Sequence, residues 1–325
     1  MTNNKQPTPI LLLGHSRPSK MLDLISSLRV TRPPNILVAI DGPRMNHDAE
    51  KRLVKLTQET VAQIDWPAKI ETLFRNDNLG IRKAIPDAVS WAISEYGKVV
   101  VIEDDVVVGP QFVNFASTML DVFAGEPKIG QINGYNIAPV SAISDSTMDI
   151  RFSKYTSSYA WATWDRAWSD YDDSMEWATN CTIRELQELY LSLSGAMVWR
   201  THFQDAASGT VDTWAYRWLA TLWAKKRICV SPNRNLIEYR GFEGGTHTKA
   251  KVYWTPLAIS EIDLSKCRNV IVPDSLDFKT DKWYSSNVYK ETWQGLVYVV
   301  CASYVLRIIN LAFPRFRNRF RRRKI

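Results

Sequence analysis

The sequence predicts an α/β protein built on a doubly wound, mostly parallel sheet. Short apolar runs without polar alternation are typical of strands that are buried on both faces of such a sheet. Four of these runs alternate with segments of helical spacing within about 125 residues, as strand–helix–strand units do. The chain has 325 residues, 45% hydrophobic and 23% charged, which suits one large core or a core with an appended lobe.

The first two strand–helix units are predicted from their apolar spacing and their stop signals. A strand over 10–13 ends at a glycine, and a helix over 19–28 follows with apolar residues three and four positions apart. A second apolar strand over 36–40 is stopped by Asp41-Gly42-Pro43, a sequence that favours a turn. A second helix is predicted from about 47 to 64.

The next two units follow the same pattern. A strand over 69–74 leads into a loop over 76–80 that is rich in turn-forming residues, and a helix over 81–96 comes next. The fourth strand, over 98–108, is a run of valines and isoleucine with three acids in its middle. A helix over 110–123 begins with proline, which suits the first helical position.

The regular alternation ends after one more short strand at 129–132. Beyond Gly134 the sequence becomes polar and aromatic, with further helices predicted at about 183–193 and 212–225. We therefore expect a boundary between two functional halves near residue 135, within one continuous domain.

Glu103, Asp104 and Asp105 are the strongest functional signal in the sequence. Three adjacent carboxylates are costly to hold together unless a cation lies among them. A hard divalent metal that carries a phosphorylated substrate fits this chemistry, and ligands of open α/β sheets bind beyond the carboxyl ends of strands. The alternative is a solvated acidic turn after a core strand.

Four motifs in order carry a resemblance to a known family: Leu13–Pro18 after the first strand, Asp41-Gly42-Pro43, Asn78-Leu79-Gly80, and the acidic triplet. Together they resemble glycosyltransferases of the GT-A fold, similar to N-acetylglucosaminyltransferase I and to bacterial enzymes of surface-polysaccharide synthesis. The resemblance covers roughly residues 9 to 250. It implies metal-dependent, inverting transfer from a nucleotide-sugar, with UDP as the expected nucleotide, to a surface polysaccharide or lipid-linked glycan.

The resemblance also implies a division of the chain. We expect a glycosyltransferase domain over 9–255, with a nucleotide-sugar half at 9–135 and an acceptor half at 136–255. A C-terminal extension at 256–292 would connect it to an amphipathic helix and a polybasic tail at 293–325.

On the donor side, the resemblance implies that Arg17 and Asp41 hold the nucleotide, Asp41 by accepting the uracil imide N–H. A surface arginine and a turn-forming aspartate are the alternatives. Arg82 and Lys83 would face the diphosphate at a helix start, unless they lie on a solvated helix face. The remaining implied donor ligands are Asn78, Gly80, Glu103 and Asp104.

The implied metal ligands are Asp105, the last acid of the triplet, and His247, which ends a glycine-rich loop. The metal would be manganese or magnesium. His247 could instead meet the diphosphate with help from a neighbouring threonine, or be a solvated loop histidine.

On the acceptor side, Asp212 is the candidate base, because an inverting transfer needs one group to take the proton of the acceptor hydroxyl. Its alternative is to cap the helix from Trp214, and Asp205 and Asp165 are the reserve bases. Trp161, Trp164, Asp165 and Trp214 are the candidate acceptor contacts. Because Trp161, Trp164 and Trp168 are three and four residues apart, one helix face could carry them, facing either the acceptor or the core.

The net charge of +7 belongs to one segment, because seven arginine and lysine residues lie between 315 and 324 and removing them leaves 7 − 7 = 0. A nucleic-acid surface is therefore not predicted. The apolar stretch 293–313, interrupted by Arg307, predicts an interfacial helix that binds an anionic membrane together with the basic tail. The alternative is a helix that covers the core.

Compartment is predicted from cysteine usage and from the N-terminus. The four cysteines are far apart without pairing or metal spacing, which indicates reduced thiols, and the first nine residues lack an apolar signal core. We expect a cytoplasmic protein at the inner membrane face.

Two other functions remain open at this point. A sugar nucleotidyltransferase would need a glycine-rich loop after its first strand, where this chain has Gly14 alone. A non-catalytic glycan-binding or membrane scaffold protein could keep the sheet and lose the reaction. Retention of anomeric configuration is also open, since both stereochemical classes use the GT-A fold.

Overall fold

The computed structural model describes residues 7–189, 191–241, 257–268, 270–272 and 276–312. Ten strands lie in these ranges: β1 Ile10–Gly14, β2 Asn35–Ile40, β3 Lys69–Phe74, β4 Lys98–Glu103, β5 Val106–Val108, β6 Ile129–Asn133, β7 Ile150–Ser153, β8 Ala160–Trp164, β9 Ile228–Pro232 and β10 Ile237–Tyr239. The described helices are α1 Pro18–Leu28, α2 Asp48–Glu59, α3 Ile81–Tyr96, α4 Phe112–Val122, α5 Asp165–Trp168, α6 Glu176–Asn180, α7 Ile183–Glu188, α8 Leu193–Ala207, α9 Ala215–Ala224, α10 Phe278–Asn287 and α11 Trp293–Ala312.

Eight strands form the main sheet, in the order β3-β2-β1-β4-β8-β6-β9-β7. β1 pairs in parallel with β2 and β4, and β2 pairs in parallel with β3. β8 lies antiparallel between β4 and β6, so those two strands point the same way. β9 runs parallel to β6, and β7 is antiparallel at the edge. The α/β class and the large, mostly parallel sheet are confirmed.

Helices cover both faces of this sheet. Along β1, Ile10 and Leu12 enter a core shared with α1, α2 and α4, while Leu11 and Leu13 enter a second core shared with α3, α5 and α9. The alternation follows from the two-residue period of a strand. Burying a leucine side chain stabilises the folded state by about 1.5–3 kcal/mol. Because both faces of β1 are buried, apolar residues are favoured at successive positions along it.

A third core lies among the helices of the second half. α6, α7, α8 and α9 pack around Trp199, Phe203 and Trp223, and the rings of Trp199 and Trp223 meet edge to face with centroids 5.1 Å apart. Many of the second half's tryptophans are therefore buried against one another rather than forming an aromatic surface.

The helix predicted to carry Trp161, Trp164 and Trp168 is wrong. Residues 160–164 form strand β8, in which Trp161 pairs with Val101 of β4. Positions three apart on a strand face opposite sides, so Trp161 enters the core beside α9 and Trp164 enters the core beside α4.

Three other predicted bounds differ from the structure. The helix expected to reach residue 64 ends at Glu59 and continues as a 3₁₀ turn over Thr60–Gln63. The helix expected at 183–193 divides into α7 and α8, and α8 extends to Ala207. The fourth strand divides at its acids into β4 and β5, which pairs with β10 in a separate two-stranded sheet.

Candidate functional site

The carboxyl ends of β1, β2, β3 and β4 meet at one edge of the sheet, because these four strands are parallel neighbours. The loops that follow them bring together Arg17, Asp41, Asn78 and the triplet Glu103–Asp105. Side chains separated by up to 88 residues in sequence are therefore in contact here. This is the edge where ligands of open α/β sheets bind.

Arg17 lies against two acids of the triplet. Its Nε donates to Asp104 Oδ2 at 3.1 Å and its Nη1 donates to Asp105 Oδ2 at 2.9 Å, while Nη2 donates to the second oxygen of Asp104. Asp104 is 2% exposed and Asp105 is 6% exposed. A protein cation thus lies among the carboxylates, and Arg17 contacts the triplet directly.

One guanidinium does not neutralise three carboxyl groups. Burial raises the pKa of Asp104 to about 6, against the lowering effect of Arg17, and the charge of Asp105 adds to the rise. Burial also raises the pKa of Glu103 well above its usual range, and Asp105 raises it further. Burial lowers the pKa of Arg17, but the two aspartates outweigh that effect and raise it. A further positive charge would lower the electrostatic energy of this cluster.

Asp105 has one oxygen without a protein partner. Its Oδ1 is buried and accepts no hydrogen bond from any residue that the structure describes. A buried carboxylate oxygen left in this state carries an uncompensated desolvation cost. The oxygens beside it in Asp104 and Asp105 accept hydrogen bonds from Arg17. A cation or a hydrogen-bond donor of a ligand would therefore be stabilised at Asp105 Oδ1.

The fit of these residues to a divalent metal depends on how many ligands the protein must supply. In the described ranges, no group of three or more His, Cys, Asp or Glu side chains is arranged to hold one. Magnesium-type sites, however, take one or two protein carboxylates and complete their shell with substrate phosphates and water. The open oxygen of Asp105, with Glu103 beside it, fits that kind of site.

Tyrosines border the triplet, and the sequence did not single them out. The Glu103 N–H donates to the Tyr159 carbonyl at 3.2 Å, and the rings of Tyr159 and Tyr239 are 4.1 Å apart between centroids. Burial raises the pKa of both phenols, so both stay protonated. Tyr239 reaches the site because β10 pairs with β5 next to the triplet. No local sequence pattern marks that pairing.

Asp41 is fully engaged by its own surroundings. Its Oδ1 accepts the N–H groups of Gly42 and Leu79, each at 3.0 Å. Its Oδ2 accepts the Gly80 N–H at 3.0 Å and Asn78 Nδ2 at 2.9 Å. Asp41 therefore fixes the loop after β3, and its contact with a uracil stays a prediction.

Gly42 and Gly80 explain why that loop needs glycine. A Cβ on Gly42 would lie 2.5 Å from the backbone of Asp77, so only glycine allows the two loops to approach. Gly80 has a φ of 77°, which other residues rarely adopt. The loop is thus a fixed element that ends at the first turn of α3.

A second polar network borders the same loop. His15 Nε2 lies 3.0 Å from the Gly42 carbonyl and 3.3 Å from Glu50 Oε1. Glu50 is buried and accepts the N–H of Arg44 and its Nε, both at 2.8 Å. Burial opposes ionisation of Glu50, but the bonds from Arg44 prevail and lower its pKa. No sequence pattern singles out this network, because His15 follows β1 while Arg44 and Glu50 lie in the loop after β2 and in α2.

The opposite side of the loop after β3 carries basic residues. Arg82 forms a two-bond pair with Asp173, at 3.1 and 2.7 Å. Asp173 also pairs with the fully buried Arg217 at 2.9 Å. Arg82 and Asp173 line a cavity of about 350 Å³ whose other lining residues are Leu79, Lys83, Pro86, Asp87, Ser90 and Tyr171.

The charge of Asp212 acts on both Arg82 and Arg217, which indicates that Asp212 lies near these two arginines. Arg217 supports the segment next to it, donating to the Thr213 carbonyl at 2.6 Å and to the Ala206 carbonyl at 2.8 Å. The capping alternative for Asp212 is wrong, since α9 begins at Ala215 with Trp214 as its N-cap residue.

The topology puts Asp212 at the same sheet edge as the triplet. β4 and β6 point the same way, and β9 is parallel to β6. α9 leads into the start of β9, so its C-terminal end lies at the amino edge of the sheet. Its N-terminal end, next to Asp212, therefore lies towards the carboxyl edge, where Glu103 ends β4.

The predicted acceptor contacts are placed elsewhere. Trp161, Trp164 and Trp214 are 0%, 5% and 2% exposed, and Trp161 stacks on Trp214 at 5.3 Å. Because all three rings are buried in the core, none of them presents a face to a sugar in this structure. Asp165 follows Trp164, which pairs with Lys98 at the amino end of β4, so it lies at the edge opposite the triplet, about 20 Å away at about 3.3 Å per residue along β4.

Asp205, the other reserve base, is also excluded from this role by its contacts. It is 3% exposed and accepts hydrogen bonds from Ser303 and Arg307 of α11. His247 and its glycine-rich loop lie outside the described residues, as does the basic segment 315–324, so these predictions stay predictions.

Comparison with known proteins adds no relative to this picture: no protein-family model and no curated protein matches the chain. The functional argument therefore depends on the geometry of the carboxyl edge.

Proposed function

We propose that this chain is a metal-dependent, inverting glycosyltransferase of the GT-A fold that uses a nucleotide-sugar and a glycan or lipid-linked acceptor. The observation that carries the proposal is the open, buried Oδ1 of Asp105. It lies in an acidic cluster at the carboxyl edge of a parallel sheet, where Arg17 is the one described cation in direct contact with the carboxyl groups and Lys20 acts on Asp104 from farther away. The motif resemblance supports a UDP-linked donor.

The donor would bind where the loops after β1, β3 and β4 meet. Arg17 holds Asp104 and Asp105 in place, and Asp41 holds the loop that ends in Gly80. The N–H groups at the start of α3, together with Arg82 and Lys83, provide positive potential for a diphosphate. These contacts fix the donor's leaving group before the acceptor arrives.

A divalent metal, manganese or magnesium, would be held by Asp105 with Glu103 beside it, and would supply charge stabilisation for the departing diphosphate. Arg17 contributes in the same direction from the protein side. Glu103 and Asp104 would contact ribose or donor-sugar hydroxyls.

The transfer step assigns the proton to Asp212. The acceptor hydroxyl oxygen forms a bond to the anomeric carbon while the bond from that carbon to the diphosphate oxygen breaks. The diphosphate leaves with the electron pair, and the carboxylate of Asp212 takes the hydroxyl proton. Arg217 holds the segment next to Asp212 through its bonds to the Thr213 and Ala206 carbonyls. Attack from the face opposite the leaving group inverts the anomeric carbon.

The test is nucleoside diphosphate release from a panel of nucleotide-sugars, with manganese, magnesium or a chelator. We expect one donor to be turned over with metal, and Asp105→Asn to reduce release at least about a hundredfold, because a lost charge ligand costs several kcal/mol of barrier. Asp165→Asn is the matched control, since it makes the same change at the opposite edge of the sheet and should keep full activity.

A second measurement separates binding from chemistry. Asp212→Asn should still bind the nucleoside diphosphate but lose transfer to an acceptor. If the wild-type chain neither releases nor binds any nucleotide in a metal-dependent way, the enzyme proposal is wrong. The non-catalytic glycan-binding or scaffold protein would then be favoured, in which Arg17 and Asp41 serve only to hold the loops.

A further inference from the structure

Helix α11 is fixed to the folded body along one side. Before its start, the carbonyl of Glu291 accepts a hydrogen bond from Ser194 at the beginning of α8, at 2.9 Å. Near its end, Arg307 donates to Asp205 at the end of α8, at 2.8 Å. The two helices therefore run side by side in the same direction, and Leu296 and Ser303 are buried between them and the body.

Glu291 strengthens this attachment. It is 4% exposed, and its Oε1 accepts Tyr155 Oη and Trp199 Nε1, both at 2.6 Å. Its Oε2 accepts Ser285 Oγ at 2.8 Å. Because three elements of the body hold the residue before α11, the direction in which the helix faces solvent is set by the fold.

The other side of α11 is apolar and open. Tyr298, Tyr304 and Val297 are 72%, 66% and 65% exposed. At about 100° per residue, most of the exposed apolar side chains fall into two neighbouring stripes that together cover about half of the helix. The first stripe is Trp293, Val297, Tyr304 and Ile308, and the second is Tyr298, Val305 and Ile309.

Charge on this part of the chain has one sign. From Trp293 to Ile325 there is no aspartate or glutamate, while Arg307 and the seven basic residues between 315 and 324 are positive. Arg307 is already paired with Asp205. The excess positive charge therefore begins immediately after the exposed apolar face.

We propose that the outward face of α11 is a docking surface for an anionic lipid bilayer, in which the helix lies in the plane of the interface. Among the described helices none has the length and hydropathy to span a membrane. A broad apolar face with aromatic side chains, followed by a polybasic segment, is the combination that binds anionic lipid surfaces. This proposal does not rest on the glycosyltransferase function.

A second copy of the chain is the other occupant to consider. Pairing two α11 faces would bring two basic segments onto one assembly, and their like charges would oppose it. An anionic surface instead gains from the same charges, by about 1 kcal/mol for each lysine or arginine near the headgroups. Charge complementarity thus favours the bilayer.

The test is flotation of the full chain with vesicles of equal phosphatidylcholine and phosphatidylglycerol, compared with vesicles of phosphatidylcholine alone. We expect binding to the anionic vesicles only, weakened by high salt. The double variant Val297→Gln/Tyr304→Gln should bind about tenfold or more weakly, since apolar area no longer enters the interface. Replacing Arg319, Arg321, Arg322 and Arg323 with glutamine should also weaken binding at least tenfold.

Val30→Gln is the matched control, because Val30 is 72% exposed on a loop after α1 and should leave binding unchanged. Denaturation midpoints check that each variant folds. The proposal is overturned if the wild type ignores anionic vesicles, or if the α11 variant binds them as well as Val30→Gln does. It is also overturned if the wild type dimerises without lipid and the α11 variant abolishes that dimer instead of vesicle binding.

Discussion

Asp41 and Asp105 follow β2 and β4, the two strands that flank β1 in the sheet. Both are buried, but the hydrogen bonds that their carboxylates accept differ. Asp41 accepts four hydrogen bonds from its own and the adjacent loop. Asp105 accepts one from Arg17 and has an oxygen without a partner in the described chain. The Asp41 carboxylate fixes the loop after β3, whereas the Asp105 carboxylate carries a desolvation cost that a ligand could remove.

The difference separates residues that motif resemblance groups together. Both aspartates belong to motifs of a sugar-transfer site, but their geometry predicts opposite responses to mutation. A satisfied carboxylate should contribute to stability, whereas an unsatisfied one should contribute to binding at the expense of stability.

The largest effect is expected at Asp41. In Asp41→Asn, the side-chain amide would direct N–H groups towards backbone N–H donors, and at least two of the four bonds would be lost. We expect the free energy of unfolding to fall by about 3 kcal/mol, at 1–3 kcal/mol for each buried donor left without an acceptor. Denaturant unfolding measures this change.

The control for this measurement is Asp165→Asn, an exposed aspartate at the opposite edge of the sheet, which should change the unfolding free energy by less than about 0.5 kcal/mol. A loss at Asp41 that is no larger than the loss at Asp165 would show that the loop does not depend on the Asp41 carboxylate.

A third buried aspartate extends the comparison to pH. Asp281 of α10 accepts Ser153 Oγ at 2.5 Å and the Lys154 N–H at 3.0 Å, and burial raises its pKa to about 6 despite these bonds. In the unfolded chain the pKa is about 4. Between these values the folded state binds more protons, so this group destabilises the fold progressively as pH rises from about 4 to about 6.

We therefore expect the wild type to lose unfolding free energy relative to Asp281→Asn over that pH range, by on the order of 2 kcal/mol. Below pH 4 the difference between the two proteins should be constant, and above pH 6 it should be constant again. Denaturant unfolding at several pH values measures the difference, and a difference that does not vary with pH would contradict the shift.

The sequence predicts elements well where the signal is local. β1 and β2 are runs of apolar residues, and their ends follow from the turn residues after them. The tryptophans at 161 and 164 have helical spacing, but β8 is a strand because it pairs with β4, which lies 58 to 66 residues earlier in the chain. Periodicity within the segment does not report a pairing over that distance.

For the site, residue identity was predictable and partnership was not. The acidic triplet indicates that a cation must be near, but it does not indicate that Arg17 provides one. Asp41 was recognised as a turn residue, yet its hydrogen bonds to Leu79 and Gly80 depend on how two loops approach. Which carboxylate is satisfied is a property of tertiary contacts between distant segments.

Among the three buried aspartates, the smallest stability effect is expected at Asp105, where the effect on activity is largest. In Asp105→Asn, the amide oxygen can still accept from Arg17, and Arg17 keeps its contacts with Asp104. The weaker pairing with Arg17 is offset because a charge near an unpartnered buried oxygen is removed. We expect the unfolding free energy to change by less than about 1 kcal/mol, measured by denaturant unfolding without metal or nucleotide. A loss as large as that of Asp41→Asn would place Asp105 among the structural carboxylates and remove the main support for a ligand at its open oxygen.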